Sequence, residues 1–425
     1  MLSLLLFVLL LLLGVPVAFA ILGGAFVQIA SSGELALLGD APAQIFAGVD
    51  SYGLLALPVF LVLGELMSVS GAADRLLALM VLWFGRLRGG LAQVTLLANA
   101  GLAAVMGSSV AQITLMARLA VPALSRAGYP AERATALVAA GGMLAPVIPP
   151  SMMLIVFGVL AQVPVGHLFV AGVVPGLLML GAMMVLTARS APPATAPDQL
   201  AALVPHGPVR TLAEALPAAL IPAAMIGAIA TGLATAVEAG IFGILAVLVV
   251  GGLVYRSLSP RQLPGVLLAA TKSAAMVLML IAAASLWGWI AAWENLPGRM
   301  AETLLALTSD PLVFLLLLNL GLLLAGMVLD PMPALILVVP VFLPVAQQSY
   351  GIDPVQFGIV TCVNLTMGLL TPPVGTGLFT AARLGGVAPG RLVRCLAPYL
   401  ACTLAVLVLL ILVPELTTGA VSLIF

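Results

Sequence analysis

Six oxygen-bearing side chains stand where an apolar chain has least use for them. Ser108, Ser109, Ser151, Thr371 and Thr376 lie close to Gly or Pro within apolar stretches, and Asp330 stands midway along another. Hard oxygen ligands without a carboxylate cluster suit a weakly bound monovalent cation better than Ca²⁺ or Zn²⁺. Two proline pairs, Pro149-Pro150 in APVIPPSMMLIVFG and Pro372-Pro373 in LTPPVGTGLF, accompany them. Proline lacks a backbone N–H and clashes with the preceding turn, at about 3 kcal/mol in a helix interior. A broken helix presents free N–H groups suited to carboxylate oxygens at one end and free carbonyls suited to Na⁺ at the other. Irregular backbone in hydrocarbon costs several kcal/mol per unsatisfied group, so matched breaks call for a shared polar cavity. A single proline would be an ordinary kink, and Gly107-Ser108-Ser109 alone could simply let helices pack closely. Asp330 is read as a cation ligand or polar tip rather than a proton relay, because no second buried acid or His accompanies it.

The elements that must position these groups are membrane helices. The chain has 425 residues, is 63% hydrophobic and 7% charged, and carries zero net charge; its mean hydropathy is +1.28. A transmembrane helix needs about 20 apolar residues, and such runs recur throughout, giving an all-α polytopic membrane protein embedded in a lipid bilayer. The charge balance gives no reason to expect a nucleic-acid partner. Cys362, Cys395 and Cys402 lack metal-ligand spacing and are expected as small packing residues. His167 and His206 are assigned to segment edges. The first 20 residues resemble a signal peptide but lack a basic start, and apolar sequence continues to Ala30, so 2–29 is read as the first span. Further spans are expected at about 53–70, 134–163, 168–188, 212–231, 235–254, 267–293, 355–383 and 395–415.

Two segments, about 91–125 and 312–348, are too long for one span and are interrupted near their middles by Gly107-Ser108-Ser109 and by Asp330-Pro331. Arg75, Arg86 and Arg88 before the first, and Arg126 and Arg133 after it, place both its ends on the cytoplasmic side. The second is flanked by Glu294, Glu302, Asp310 and Asp353, which suits the outer side. Each is therefore expected to be a re-entrant helical hairpin, one from each face. Pro149-Pro150 recurs 223 positions later as Pro372-Pro373, and the same offset sets Gly107 on Asp330. This pattern predicts inverted-topology repeats. Residues 1–188 form the first, with the broken helix at about 134–163. Residues 189–234 form a cytoplasmic linker and connecting helix, and 235–425 the second repeat, with the broken helix at about 355–383. The N-terminus is expected on the cytoplasmic side. Glu238 is expected to cap a helix at the outer surface, Lys272 and Arg118 to snorkel to the cytoplasmic side, and Trp287, Trp289 and Trp293 to form an outer interfacial belt. Glu65 receives no specific role.

LLLLLGVPVAFAILGGA, GSSVAQITLMARLAVPALSRAGYPAERATALVAAGGMLAPVIPPS, TGLATAVEAG, LDPMPALILVVPVFLPVA and NLTMGLLTPPVGTGLF occur here in this order. Together they resemble the large membrane subunit of tripartite ATP-independent periplasmic (TRAP) transporters, across the whole chain. The resemblance implies an elevator-type secondary transporter of the bacterial inner membrane, driven by a sodium gradient. It also implies a small four-helix membrane subunit, a periplasmic substrate-binding protein and a carboxylate-bearing organic-anion substrate. By position it places one sodium site at Ser108, Ser109, Gly142 and the backbone around Pro149. A second falls at Asp330, Met332, Thr371 and the backbone around Gly375. Substrate would lie near Ser109, Ser151, Pro331 and Thr376. No further metal and no organic cofactor is implied. Relatives commonly carry a TPTE-like stretch where this chain has Ala234-Thr235-Ala236-Val237-Glu238, and Asn-rich sequence where it has Thr376-Gly377. No four-helix block precedes residue 1, so the small subunit is expected as a separate chain.

The nearest alternative is a self-sufficient sodium/carboxylate symporter of the divalent-anion type, which would need no binding protein. An intramembrane protease needs a paired acid, a Ser/His pair or a metal site, and Asp330 stands alone. A pure scaffold would have no reason to repeat four helix breaks, and an ATP-driven permease would need a coupling surface for a nucleotide-binding partner. The chain is thus not expected to be an enzyme.

Overall fold

The computed structural model describes residues 2–85, 89–190 and 207–425. Among the described residues twenty α-helices follow one another. The first five are α1 (Leu2–Leu12), α2 (Val17–Ser32), α3 (Leu37–Val49), α4 (Ala56–Val69) and α5 (Ala72–Phe84). Next come α6 (Gly90–Met106), α7 (Ser109–Arg126), α8 (Ala131–Gly142), α9 (Met152–Ala161) and α10 (Val165–Ser190). After the expected linker, whose residues 191–206, with Arg86 and Arg88, lie outside the described residues, come α11 (Pro208–Ala230), α12 (Ala236–Val249) and α13 (Leu263–Trp293). The rest are α14 (Leu296–Leu307), α15 (Pro311–Gly326), α16 (Pro331–Tyr350), α17 (Pro354–Gly368), α18 (Thr376–Gly385), α19 (Pro389–Leu412) and α20 (Glu415–Ile424). Among the described residues seven helices are long and apolar enough to cross a membrane, or eight if α14 and α15, bent by 116° at their junction, count as one.

The helices sort into two packed sets. In one, α13 packs along α2, α3 and α4, while α11 and α12 pack on α5 and α4. In the other, α6–α10 and α15–α19 recur in the same order and interleave. α7 packs on α18 and α9 on α16; α8 packs on α19 and α10 on α17. Lipid tails are as apolar as leucine, so these contacts rest on close fit rather than on escape from water. The small residues Ala134, Ala136, Ala139, Ala140, Gly141 and Gly142 of α8 are all buried. Phe157 of α9 stacks on Phe357 of α17 with ring centroids 6.3 Å apart.

Several expectations need correction. Residues 2–29 do not cross as one span, because Gly14 (φ 77°) and Pro16 end α1 and turn the chain back. The Ser3 hydroxyl then donates to Gln28 Oε1, and Gln28 Nε2 donates to Glu294 Oε1 at 2.6 Å. The amino end therefore shares a level with Glu294, whereas the sequence reading put them on opposite faces. α3 and α5 also fill stretches in which no span was expected; α5 carries Asp74 and Arg75, which lower its apolar signal. The Trp287 and Trp289 side chains are half-buried against α2 and α3, and Trp293 alone of the three is exposed. Glu238 does cap its helix: it and Thr235 form a reciprocal capping box at the start of α12.

Candidate functional site

Both breaks fall where proline removes the ladder. α8 ends at Gly142, residues 143–150 turn through Pro146, Pro149 and Pro150, and α9 begins at Met152. α17 ends at Gly368, residues 369–375 turn through Pro372 and Pro373, and α18 begins at Thr376. The Pro149-Pro150 and Pro372-Pro373 bonds are both cis. Ser151 is fully buried as the N-cap of α9; its hydroxyl donates to Pro146 O at 2.7 Å and accepts from Leu154 N at 3.4 Å. That hydroxyl serves the backbone. Thr371 likewise donates to Met367 O at 2.7 Å.

The tip joining α6 to α7 is Gly107-Ser108. Gly107 adopts φ 58°, and a Cβ there would come within 2.7 Å of Met152 Cγ, so glycine is what allows the tip to press on the start of α9. Ser108 caps α7 by accepting from Ala111 N at 3.5 Å. The Ser109 hydroxyl is buried and has no partner among the described residues. Gly142 lies against the same turn: a Cβ on it would stand 3.5 Å from Ser109 O.

The tip joining α15 to α16 is longer, running from Met327 to Asp330. Asp330 holds the N-cap position of α16 but bonds none of its amides. Its Oδ1 instead accepts from the Thr376 hydroxyl at 3.0 Å, and Gly375 N donates to Met327 O at 3.1 Å. The structure therefore sets Asp330 opposite Ser108, the N-cap of α7, and not opposite Gly107 as the uniform 223-residue offset had it.

A cavity of about 590 Å³ opens between these tips and the other helix set. Ser108, Ser109, Asp330, Pro331 and Met332 line it, and Thr376 reaches it through Asp330. Gly142, Pro149, Pro150, Ser151, Thr371 and Gly375 do not line it, and neither do the exposed Pro372 and Pro373. Five polar residues without an assigned site role complete the lining: Glu65 and Ser68 from α4, Thr114 and Arg118 from α7 and Ser273 from α13. Glu65 and Arg118 did carry a signal, being charges within apolar segments. The volume suits a small organic molecule. Two acidic residues, Glu65 and Asp330, and one basic residue, Arg118, line the cavity, so acidic residues outnumber basic ones on the wall.

The family model described as the DctM component of the tripartite ATP-independent periplasmic transporter matches residues 4–416. The chain is 32% identical over 406 residues to the 2,3-diketo-L-gulonate TRAP transporter large permease protein of Escherichia coli, covering 95% of this chain and 94% of that one. It is 32% identical over 412 residues to the sialic acid TRAP transporter large permease protein of Vibrio cholerae, again covering 95% and 94%. The fold is similar to the crystal structure of the Alcanivorax borkumensis YdaH transporter, with TM-score 0.61 and 18% identity over 89% of this chain and 88% of that one. Four matched breaks, two tips meeting at one cavity and agreement along nearly the whole chain give one answer: this protein belongs to the family of large permease subunits of TRAP transporters, and is a transporter component rather than an enzyme.

Proposed function

We propose that this subunit imports a carboxylate-bearing organic anion across the inner membrane, coupled to Na⁺ entry, by moving the α6–α10 and α15–α19 body past the rest. The carrying observation is the cavity wall. Its acid excess disfavours a lone carboxylate anion, and a bound cation would offset it. Ser108, Ser109 and the Gly142 turn offer oxygen ligands at one tip, and Asp330 with the Thr376 hydroxyl at the other. Arg118 supplies the positive group for a substrate carboxylate. The two helical pairs would be re-entrant hairpins in inverted repeats, which the recurring helix order and reciprocal contacts support. The similarity to diketogulonate and sialic acid permeases supports an organic acid as cargo. A tripartite family supports a small membrane subunit and a periplasmic binding protein as partners.

Proteoliposomes holding this chain and its small subunit test the proposal with labelled diketogulonate, sialic acid and C4-dicarboxylates. Uptake is expected only with an inward Na⁺ gradient and the cognate binding protein. Undiminished uptake in sodium-free buffer at matched potential would reject the coupling. Equal uptake without the binding protein would reject tripartite delivery and restore the self-sufficient symporter.

A further inference from the structure

A second cavity, of about 250 Å³ and sharing no lining residue with the first, opens among α6, α8, α10 and α19. Arg133 of α8 and Arg394 of α19 both line it, and among the described residues no acidic one does. Neither has a carboxylate within ion-pair distance among the described residues, whereas neighbouring Arg391 pairs with Glu132 at 3.3 Å. Beside them the buried Thr187 hydroxyl and the Tyr399 hydroxyl lie 3.0 Å apart. One proton serves that bond, and the other hydroxyl proton remains for an acceptor in the cavity. Leu137, Leu186 and Pro398 supply apolar wall.

The opposite half closes its corresponding position. Gln356, the third residue of α17 as Arg133 is of α8, is buried and donates to the carbonyls of Leu410 and Ile411 at 3.2 and 3.5 Å. Where one half satisfies itself with a neutral amide, the other holds two guanidinium groups against an open space.

We propose that this cavity binds a phosphate-type oxyanion, and that its occupant is the headgroup of an anionic phospholipid. Guanidinium forks match phosphate oxygens in geometry and charge. Both arginines belong to the basic flank formed by Arg126, Arg133, Arg383, Arg391 and Arg394, which the positive-inside rule sets at the cytoplasmic leaflet. Basic pockets between membrane helices on that side hold lipid headgroups, and the apolar wall suits the glycerol and upper acyl carbons better than free phosphate. The lipid would join the start of α8 to α10 and α19 within the body that carries the cargo site.

The test uses the delipidated complex of the full chain with its small subunit, titrated with dioctanoyl phosphatidylglycerol, dioctanoyl phosphatidylcholine and inorganic phosphate. Native mass spectrometry and the thermal midpoint are read together. Phosphatidylglycerol should bind about tenfold more tightly than phosphatidylcholine. The Arg133→Gln/Arg394→Gln pair should abolish that preference, while Arg391→Gln, outside the cavity, should keep it. An unchanged preference in the double variant, or none in the parent, overturns the site. Inorganic phosphate matching the lipid at equal concentration overturns the lipid as occupant. Should the double variant not purify, Arg394→Gln alone, an exposed side chain, must still weaken the preference or the proposal fails.

Discussion

Each half of the molecule buries an amide junction beneath its tip, and the two halves build it from opposite sides. Asn99 on α6 and Asn319 on α15 take the same posture, each donating to the carbonyl four residues back, at 2.8 and 2.7 Å. In the first half the partner comes from within the helical pair: Gln112 of α7 donates to Asn99 O, Asn99 Oδ1 and Gly141 O. In the second half it comes from the broken helix, where Asn364 of α17 donates to Asn319 O and Oδ1 at 2.7 and 2.8 Å. Asn364 stands 223 positions after Gly141. A Cβ on Gly141 would fall 2.5 Å from Asn99 Cγ, so the side chain that one half requires there is excluded in the other. The shared feature is a donor for the Asn99 and Asn319 oxygens beneath each tip, since an unpaired buried acceptor costs about 1–3 kcal/mol; the Gln112 Oε1 and Asn364 Oδ1 oxygens themselves have no partner among the described residues. Which helix supplies the donor is free to differ.

The largest break in the comparison should come at the tips themselves. Asp330→Asn keeps a partner for Thr376 but removes the charge. Hydrogen bonds to charged groups are worth about 1.5–3 kcal/mol, so half-maximal uptake should need roughly tenfold to a hundredfold more Na⁺. Ser108→Ala removes a neutral oxygen, worth about 1 kcal/mol, and should cost about fivefold. Sodium titration of uptake measures both, with membrane insertion intact. Equal sensitivity of the two variants, or none, would reject this division of labour.

Next come the junctions. Asn364→Ala and Gln112→Ala should each destabilise by about 1–3 kcal/mol, read as a lowered thermal midpoint in detergent. If Gln112→Ala proves harmless while Asn364→Ala does not, the two junctions are not equivalent devices.

The smallest contrast lies at the starts of the broken helices. Asp353 caps α17 by accepting from Val355 N and Gln356 N at 2.7 and 3.4 Å. α8 follows Pro130 and has no side-chain cap among the described residues, and Glu132 in its first turn pairs with Arg391. Asp353→Ala should cost about 1 kcal/mol. Glu132→Gln should change little, because exposed pairs contribute little. The Glu132 carboxyl is held below its ordinary value, first by its own backbone N–H and then by Arg391. Its contribution is therefore present above the unfolded value near 4.5 and lost as pH falls through the lower folded value. Parent and Glu132→Gln midpoints should differ by a constant amount from pH 8 to about 5 and converge in more acidic buffer. A difference that grows on acidification would contradict this sign.

Breaks announce themselves in sequence because proline and glycine act locally. Ends expected near 91, 125, 312 and 348 fall at Gly90, Arg126, Pro311 and Tyr350, and both proline pairs interrupt their helices. The turn at Gly14–Pro16 escaped because apolar residues continue on both sides, so hydropathy runs through it unchanged. Residue type marked the oxygen donors without telling which were free. Ser109 is buried and has no partner among the described residues, while Ser151, no less polar, is consumed by its own helix start. That difference depends on where Pro146 O lies. Asp330 and Thr376, 46 positions apart, were each legible as polar residues, but not as partners of one another.

Gly326 and Gly368 pass so close that a Cβ on Gly368 would stand 2.6 Å from Gly326 Cα. With the bonds from Gly375 to Met327 and from Thr376 to Asp330, they join the second tip to its broken helix at three points. A tip lifting alone, as a lid, would have to break all three. The proposed translation of the whole body would break none of them, so these ties oppose a flap and are compatible with that motion.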